Sequence, residues 1–461
     1  MRSSRPLILA LPCAAIVLNA VVWITGLLRS GFWADDFLNL THFSHSLGHL
    51  SDDHINTGKY VINVFWAIGT EAFGAGSVVP FLLLNSLVLA SGVTIWLRAG
   101  TGRHWSAIDA WWIGGLFLAT AAWLPTALWS SNATHSFGFL ALGGALWAHE
   151  RTLTARTSRA MLGWSLAGGA FWTLTIVSNL LYIGLLTIAA YCTWHQIRKL
   201  RDVGVPAFGA GACIGLWNLV LPLLYFALVA YPGTTSSAVY AQHGLRFLHE
   251  NLDFYRSVLA PTDVLAVLYA VLVATGAAGA LLAARRGDLF PLAVLAAAGA
   301  TALPALVQGL QRDVHYLAMP LMLLFSALAA ATRPLLNGRR EHVHGAVLLG
   351  AAVALLLTFG QGSGERSYFV DTPYGHDLAA FRSEVAAVTP PGGTICAKLK
   401  LDAAQQAFLI AAMSGPDGFL VPPINAGQVY FATNATRCPA NVVVTRITVS
   451  PNAHGGFTVS A

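Results

Sequence analysis

Unbroken apolar runs recur along the whole chain, and each is long enough to cross a lipid bilayer as a helix. A spanning helix needs about 20 mostly apolar residues, whereas a strand of a transmembrane barrel alternates apolar and polar residues over about ten. The runs here do not alternate, so they exclude a barrel. We predict eleven transmembrane helices, near residues 6–28, 78–97, 108–127, 134–149, 160–177, 179–195, 206–231, 263–284, 289–307, 315–332 and 344–361.

The composition agrees with this pattern. Hydrophobic residues make up 56% of the 461 positions and charged residues only 10%, whereas a soluble domain carries roughly 25% charged residues. The sequence therefore predicts an all-α polytopic membrane protein. Of 26 basic residues the only lysines are Lys59, Lys199, Lys398 and Lys400, a bias typical of a high-GC bacterial genome.

The distribution of Arg and Lys over the loops predicts the orientation. With a cytoplasmic N-terminus, the basic clusters all fall in inner loops: Arg2 and Arg5, Arg98 and Arg103, Arg151 to Arg159, Arg198 to Arg201, Arg285 and Arg286, and Arg333 to Arg340. This satisfies the positive-inside rule and predicts a multi-pass protein of the bacterial inner membrane. The apolar run over 160–195 is interrupted only by Ser178 and Asn179. A single helix over this run would reverse the orientation of every later loop, so the loop charges favour two helices.

Three longer polar regions then lie on the outer side, at residues 29–77, 232–262 and 362–461. The first shows helical apolar spacing typical of short interfacial helices. The last combines a helical pattern, a Pro-Gly turn and strand-like runs, which predicts a small extracytoplasmic α/β domain over 362–461 beside a membrane domain over 1–361. Cys396 and Cys438 both lie in this tail, and an oxidising compartment would allow them to form a disulfide.

An acidic pair, Asp35 and Asp36, follows the first predicted membrane helix and is flanked by Trp33 and Phe37. Two carboxylates at a membrane boundary are costly, which indicates a role. Partial desolvation beside the aromatic rings would raise a carboxyl pKa and suit it to general-base work. The alternative is that one of them caps the helix that follows.

A second candidate is the short outer loop that contains Arg312, Asp313, His315 and Tyr316. An Arg at the membrane surface is suited to hold a lipid phosphate, and His315 or Tyr316 can hydrogen-bond to phosphate or sugar. The alternative is an interfacial aromatic belt in which Arg312 pairs with Asp313.

Weaker candidates lie in the other outer regions. Lys59 and His54 in the first loop can contact a donor phosphate, although interfacial anchoring is the more common use of such a lysine. Residues that can line an acceptor cavity are Asn132, His135, His243, Arg246 and Arg256. The alternative is a turn role for the first two and a solvated loop for the other three. The helical spacing of His42, His45 and His49 permits a metal site but matches no known zinc signature.

The order of these features resembles that of the GT-C glycosyltransferases, which have a basic N-terminus, one membrane helix, an acidic pair opening a long outer loop and many further helices. The resemblance implies an integral membrane enzyme that uses polyprenyl-phosphate-linked sugars. It gives Asp35 the position of the catalytic base, with Asp36 as a second or alternative base, and it places Arg312 on the donor phosphate. Divalent ions occur in some of these enzymes and not in others, so the cofactor stays open.

We therefore expect inverting transfer of a sugar from a polyprenyl-phosphate lipid to a glycan, glycolipid or protein of the cell envelope, with no nucleic-acid partner. The sequence has no phosphate-binding glycine loop, which disfavours a nucleotide-sugar donor. One alternative is an O-antigen ligase or polymerase, whose key basic residues lie in one late outer loop. Another is a lipid or solute transporter, which should carry paired charges within its helices.

Overall fold

The computed structural model describes residues 60–73, 79–118, 120, 122–128, 133–230, 244–260, 262–307, 314–332, 384–385, 387–388, 394–400, 429–432, 443–451 and 457–460. Seven predicted site residues lie outside these ranges: Asp35, Asp36, His54, Lys59, Asn132, His243 and Arg312. The predicted membrane segments 6–28 and 344–361 lie outside them as well.

Helices account for most of the described chain. They are α1 (Tyr60–Phe73), α2 (Val79–Gly100), α3 (Ala107–Leu118), α4 (Trp123–Leu128), α5 (Ala133–Thr154), α6 (Ser158–Ser178), α7 (Leu186–Asp202), α8 (Ala207–Gly215), α9 (Leu221–Tyr225), α10 (Leu248–Leu259), α11 (Asp263–Arg285), α12 (Phe290–Val307) and α13 (Ala318–Thr332). Single 3-10 turns cover Leu180–Leu185, Leu245–Phe247 and Val314–Leu317, and π turns cover Leu216–Val220 and Phe226–Ala230.

Six helical stretches in the described part are long and apolar enough to cross a membrane: Pro80–Gly100, Ser158–Ser178, Gly211–Leu228, Asp263–Arg285, Phe290–Val307 and Val314–Thr332. The prediction of a polytopic helical membrane protein is confirmed. Three predicted segments differ. Residues 134–149 lie within the longer helix α5 and residues 179–195 form a 3-10 turn followed by α7, and neither helix is among the six. Residues 108–127 form the two shorter helices α3 and α4. Both the backbone N–H and the hydroxyl of Thr120 donate to the carbonyl of Phe117, which ends α3 in a turn.

The apolar run over 160–195 is two helices, as the loop charges favoured. α6 ends at Ser178, and Asn179 adopts an extended conformation (φ −156°, ψ 125°) before the chain enters the 3-10 turn Leu180–Leu185. The Asn179 side chain accepts a hydrogen bond from the Leu181 N–H at 3.0 Å. An Asn at this position caps the next helical segment and stops the previous one.

α13 lies at the centre of the described bundle. Within its spanning stretch 89% of the residues are buried, against 17–56% in the other five. A helix that is apolar on every face is stable only when other helices surround it or lipid does. A buried hydrogen bond from Trp96 Nε1 of α2 to Ser326 Oγ, 2.9 Å long, ties α13 to α2.

The contact between α2 and α5 depends on two glycines. A Cβ at Gly92 would overlap backbone atoms of Phe139 and Leu140, and a Cβ at Gly143 would lie 2.7 Å from the Gly92 carbonyl oxygen. Small residues let membrane helices approach closely and gain van der Waals contact that lipid does not oppose. The two helices therefore pack backbone against backbone.

A four-stranded sheet forms in the C-terminal region. Its strands are β1 (Thr394–Leu399), β2 (Val429–Ala432), β3 (Val444–Pro451) and β4 (Phe457–Ser460), in the order β2-β1-β3-β4. β1 pairs in parallel with β2 and β3, and β4 is antiparallel to β3. Together with the helical residues 384–385 and 387–388, this confirms the predicted α/β segment.

We expect Gly92→Ala to lower the free energy of unfolding by about 1–3 kcal/mol, since the added methyl group meets backbone atoms that cannot rotate away. The measurement is the thermal midpoint of the purified protein in detergent. The matched control is Gly163→Ala on α6, where a Cβ meets nothing within 4 Å. Equal midpoints for the two variants would contradict the close approach of α2 and α5.

The disulfide of the tail gives a second prediction. Cys396 is disulfide-bonded, whereas Cys192 and Cys213 are free, and Cys438 lies outside the described residues. We expect non-reducing peptide mapping to join the Cys396 peptide to the Cys438 peptide and reduction to release both. A link from Cys396 to Cys13 would show that the pairing is wrong.

Candidate functional site

Buried polar side chains gather at the N-terminal end of α5, where an apolar core would ordinarily be expected. His135 lies in the first turn of this helix and is 3% exposed. Its Nδ1 atom lies 2.7 Å from the hydroxyl of Tyr182, and its Nε2 atom lies 3.1 Å from Nδ2 of Asn179. Both ring nitrogens therefore have a hydrogen-bonding partner inside the bundle.

Two further aromatic groups complete this cluster. His315 and Tyr316 lie on the 3-10 turn Val314–Leu317 that leads into α13, and both are buried. The His135 ring centroid is 4.7 Å from that of His315 and 5.7 Å from that of Tyr316. We call the five residues His135, Asn179, Tyr182, His315 and Tyr316 the His135 cluster. The fold thus brings three of the predicted site residues together from positions about 180 apart in sequence.

Two residues of the cluster, Asn179 and Tyr182, were not predicted as site residues. In the sequence Asn179 is a break in an apolar run, and Tyr182 lies in the predicted membrane helix that follows. The available signal was the carboxamide itself, because polar groups within membrane segments are costly and usually functional.

Two predicted cationic residues lie on the surface beside this region. Arg246 stacks over the ring of Phe247 at 4.6 Å, and Arg256 of α10 forms an ion pair with Asp263. α10 packs against the 3-10 turn that carries His315. In addition, Asn251 Nδ2 donates to the carbonyl of Leu306 at 2.9 Å, which fixes α10 to the end of α12.

A second polar cluster lies at the opposite end of α5. His149 follows His135 by fourteen positions, a distance of about 21 Å along a helix. The centroid of its ring is 6.2 Å from that of Tyr191 and 6.4 Å from that of His195, both on α7. Among the described residues, neither ring nitrogen of His149 has a hydrogen-bond partner. We call these residues, with His104, the His149 cluster.

His104 links the His149 cluster to a surface ion pair. Its ring stacks on Phe290 with centroids 3.5 Å apart, and its Nε2 atom is 3.4 Å from Oε1 of Glu150, an electrostatic contact without good hydrogen-bond alignment. The other carboxylate oxygen accepts from Arg103 Nε at 2.9 Å. Burial lowers the pKa of His104 below its usual range, because it outweighs the opposite effect of the Glu150 carboxylate.

Among the described residues no group of three or more His, Cys, Asp or Glu side chains could hold a metal ion. The histidines that the sequence offered for such a site, His42, His45 and His49, lie outside the described ranges. The geometry of the His135 cluster instead suits hydrogen bonding to a ligand, since His, Tyr and Asn supply neutral donors and acceptors.

No protein-family model matches this sequence, and no curated protein matches it. The fold is similar to a crystal structure of ArnT from Cupriavidus metallidurans bound to undecaprenyl phosphate. The similarity covers 90% of this chain and 88% of that chain, with a TM-score of 0.50 and 15% sequence identity. The chain therefore has a GT-C-like fold, in agreement with the architecture expected from its sequence.

The lowered pKa of His104 predicts a pH dependence of stability. A histidine whose pKa is lower in the folded than in the unfolded state is protonated preferentially on unfolding, so stability falls as the pH drops below about 6.5. We expect thermal midpoints in detergent to fall between pH 7.5 and pH 5.5, and to fall less steeply in His104→Asn. The control is His249→Asn, whose side chain is 86% exposed. Parallel profiles for wild type and His104→Asn would contradict this role.

Proposed function

We propose that this protein is a glycosyltransferase that takes its sugar from a polyprenyl-phosphate lipid. One observation carries the proposal, namely a fold similar over 90% of the chain to that of a protein crystallised with undecaprenyl phosphate. The acidic pair Asp35 and Asp36 and the polar His135 cluster add the side chains that such chemistry needs. The acceptor is an extracytoplasmic glycan, glycolipid or protein.

The reaction is a single displacement at the anomeric carbon. Asp35 or Asp36 accepts the proton of the acceptor hydroxyl as its oxygen forms a bond to that carbon. The bond between the carbon and the phosphate oxygen breaks, and the electron pair leaves with the polyprenyl phosphate. Attack opposite the leaving group inverts the configuration at the anomeric carbon.

The negative charge that develops on the leaving phosphate must be stabilised by cations or hydrogen-bond donors. Arg312, with Lys59 and His54, supplies cationic or hydrogen-bonding groups for it, and charge-assisted bonds to phosphate are the strong ones. His315 and Tyr316 lie three and four positions beyond Arg312 in sequence. Because both side chains are buried beside His135, they form a rigid inner surface of the proposed donor site, and the phosphate and first sugar contact this surface.

Acceptor recognition falls to the surrounding outer residues. Arg246 precedes α10 and Arg256 lies on it, and α10 packs against the turn of His315. Asn132, His135 and His243 are further candidates for contacts with the acceptor. The proposed orientation has a cytoplasmic N-terminus in the inner membrane, a membrane domain over 1–361 and an outer domain over 362–461 that faces the acceptor.

The test is transfer of labelled sugar from a panel of synthetic polyprenyl-phosphate sugars by purified protein. Removing the true base should lower the turnover number about 10²- to 10⁴-fold, so we compare Asp35→Asn and Asp36→Asn with wild type. Asp253→Asn is the matched control, because this aspartate is 64% exposed on α10 and pairs with His249.

The outcomes separate the proposal from its rivals. Transfer or donor hydrolysis that one of the two substitutions abolishes supports the proposal and identifies the base. Activity indifferent to both substitutions, but lost in Arg246→Ala or Arg256→Ala, would favour a ligase or polymerase. Inactivity with every donor in a folded preparation would overturn the proposed activity.

A further inference from the structure

The orientation of the Asn179 amide is fixed by the backbone. Its Oδ1 atom accepts the Leu181 N–H at 3.0 Å as it caps the 3-10 turn. Exchanging the amide nitrogen and oxygen would set an NH₂ group against an N–H donor, which is repulsive. The amide nitrogen is therefore the atom that faces His135 Nε2 at 3.1 Å.

This orientation fixes the tautomer of His135. Since an amide nitrogen can only donate, Nε2 of His135 accepts and carries no proton. A neutral imidazole then carries its proton on Nδ1, and this proton is donated to the Tyr182 hydroxyl oxygen over 2.7 Å. Which nitrogen is protonated in a buried histidine is set by the bond that the other one makes.

The Tyr182 hydroxyl consequently uses its oxygen as an acceptor and keeps its own proton for another group. The side chain is only 2% exposed, and no described residue other than His135 forms a hydrogen bond to its hydroxyl. A buried donor without an acceptor costs roughly 1–3 kcal/mol. Such a group in a polar cluster indicates a ligand that supplies the missing oxygen.

The ring of Tyr182 is held in place as well. Gly138 lies one turn after His135 on α5, and a Cβ there would overlap the Tyr182 ring. The ring is therefore seated directly on the α5 backbone. Its hydroxyl is a donor fixed before any ligand arrives, and such preorganised donors lose little entropy on binding.

We infer that the Tyr182 hydroxyl donates a hydrogen bond to a phosphate oxygen of the lipid-linked donor, with His135 and Asn179 as positioning residues that aim its proton. This inference rests on the proposed function. Phosphate is the favoured acceptor because bonds to an anionic oxygen are about twice as strong as neutral ones. A polyprenyl chain lying in the bilayer places its phosphate at the ends of the helices, where α5 and the Leu180–Leu185 turn begin.

The experiment measures binding of undecaprenyl phosphate, undecaprenol and inorganic phosphate to the full-length protein in detergent. We expect wild type to bind the lipid phosphate more tightly than undecaprenol. Tyr182→Phe should weaken binding of the lipid phosphate by about tenfold or more, the value of one hydrogen bond to a charged group, and should leave undecaprenol unchanged. Tyr191→Phe makes the same chemical change on α7 within the His149 cluster and should match wild type.

A second variant tests the positioning role separately. Asn179→Ser keeps an oxygen that can cap the Leu181 N–H but is too short to reach His135. We expect it to weaken binding less than Tyr182→Phe does, and to cause no further loss when combined with Tyr182→Phe. Independent, multiplying losses in the double variant would show that Asn179 does not act through Tyr182.

The outcomes distinguish the two proposals. If wild type binds undecaprenyl phosphate and folded Tyr182→Phe binds it equally well, the inference is wrong and the proposed function stands. If wild type shows no preference for the lipid phosphate over undecaprenol, both are overturned. Binding of inorganic phosphate that is equally sensitive to Tyr182→Phe would assign the site to a free anion and also overturn the inference.

Discussion

Asn179 lies at the break between α6 and the 3-10 turn Leu180–Leu185, and its hydrogen bonds stabilise the chain there. The His135 cluster depends on the same hydrogen bonds. In an apolar surrounding every exposed backbone group must find an internal partner, because water is absent. Asn179 satisfies this requirement locally, since its N–H donates to Thr175 and its side chain caps Leu181. The same amide then reaches His135. One residue thus ends α6, starts the next helical segment and sets the hydrogen bonding of the cluster.

Most of the helical architecture could be predicted because hydrophobicity acts locally along the chain. A run of apolar residues must form a helix in lipid wherever it occurs, so the starts of α2, α11 and α12 agree with the sequence to within a residue or two. The prediction of one helix over residues 108–127 was wrong because Thr120 can hydrogen-bond to the preceding turn. Hydropathy does not register this competition. The break at Asn179 showed in the sequence only as two polar residues in an apolar run, and the charges of distant loops favoured dividing the run there.

The site was predicted in part, for a different physical reason. His135, His315 and Tyr316 each looked polar at the edge of an apolar segment, which is a local signal. Their proximity depends on how the start of α5 lies against the 3-10 turn Val314–Leu317. Which helices become neighbours cannot be inferred from a single sequence. Tyr182 was missed because a tyrosine in an apolar run reads as hydrophobic until a partner for its hydroxyl is known. The His149 cluster was missed likewise, since its members come from a loop and two helices.

The glycine contact between α2 and α5 bears on how the protein is assembled in the membrane. Helices that have each been inserted into the bilayer associate afterwards by packing. Because α3 and α4 lie between α2 and α5 in the chain, the surface of α2 around Gly92 faces lipid until both intervening segments have been inserted. During synthesis the small-residue face of α2 is therefore open to lipid or to other helices until α5 has been inserted. Closure onto Gly143 is the step that removes this freedom, and it fixes α5 against α2, with the His135 cluster at one end of α5 and the His149 cluster at the other.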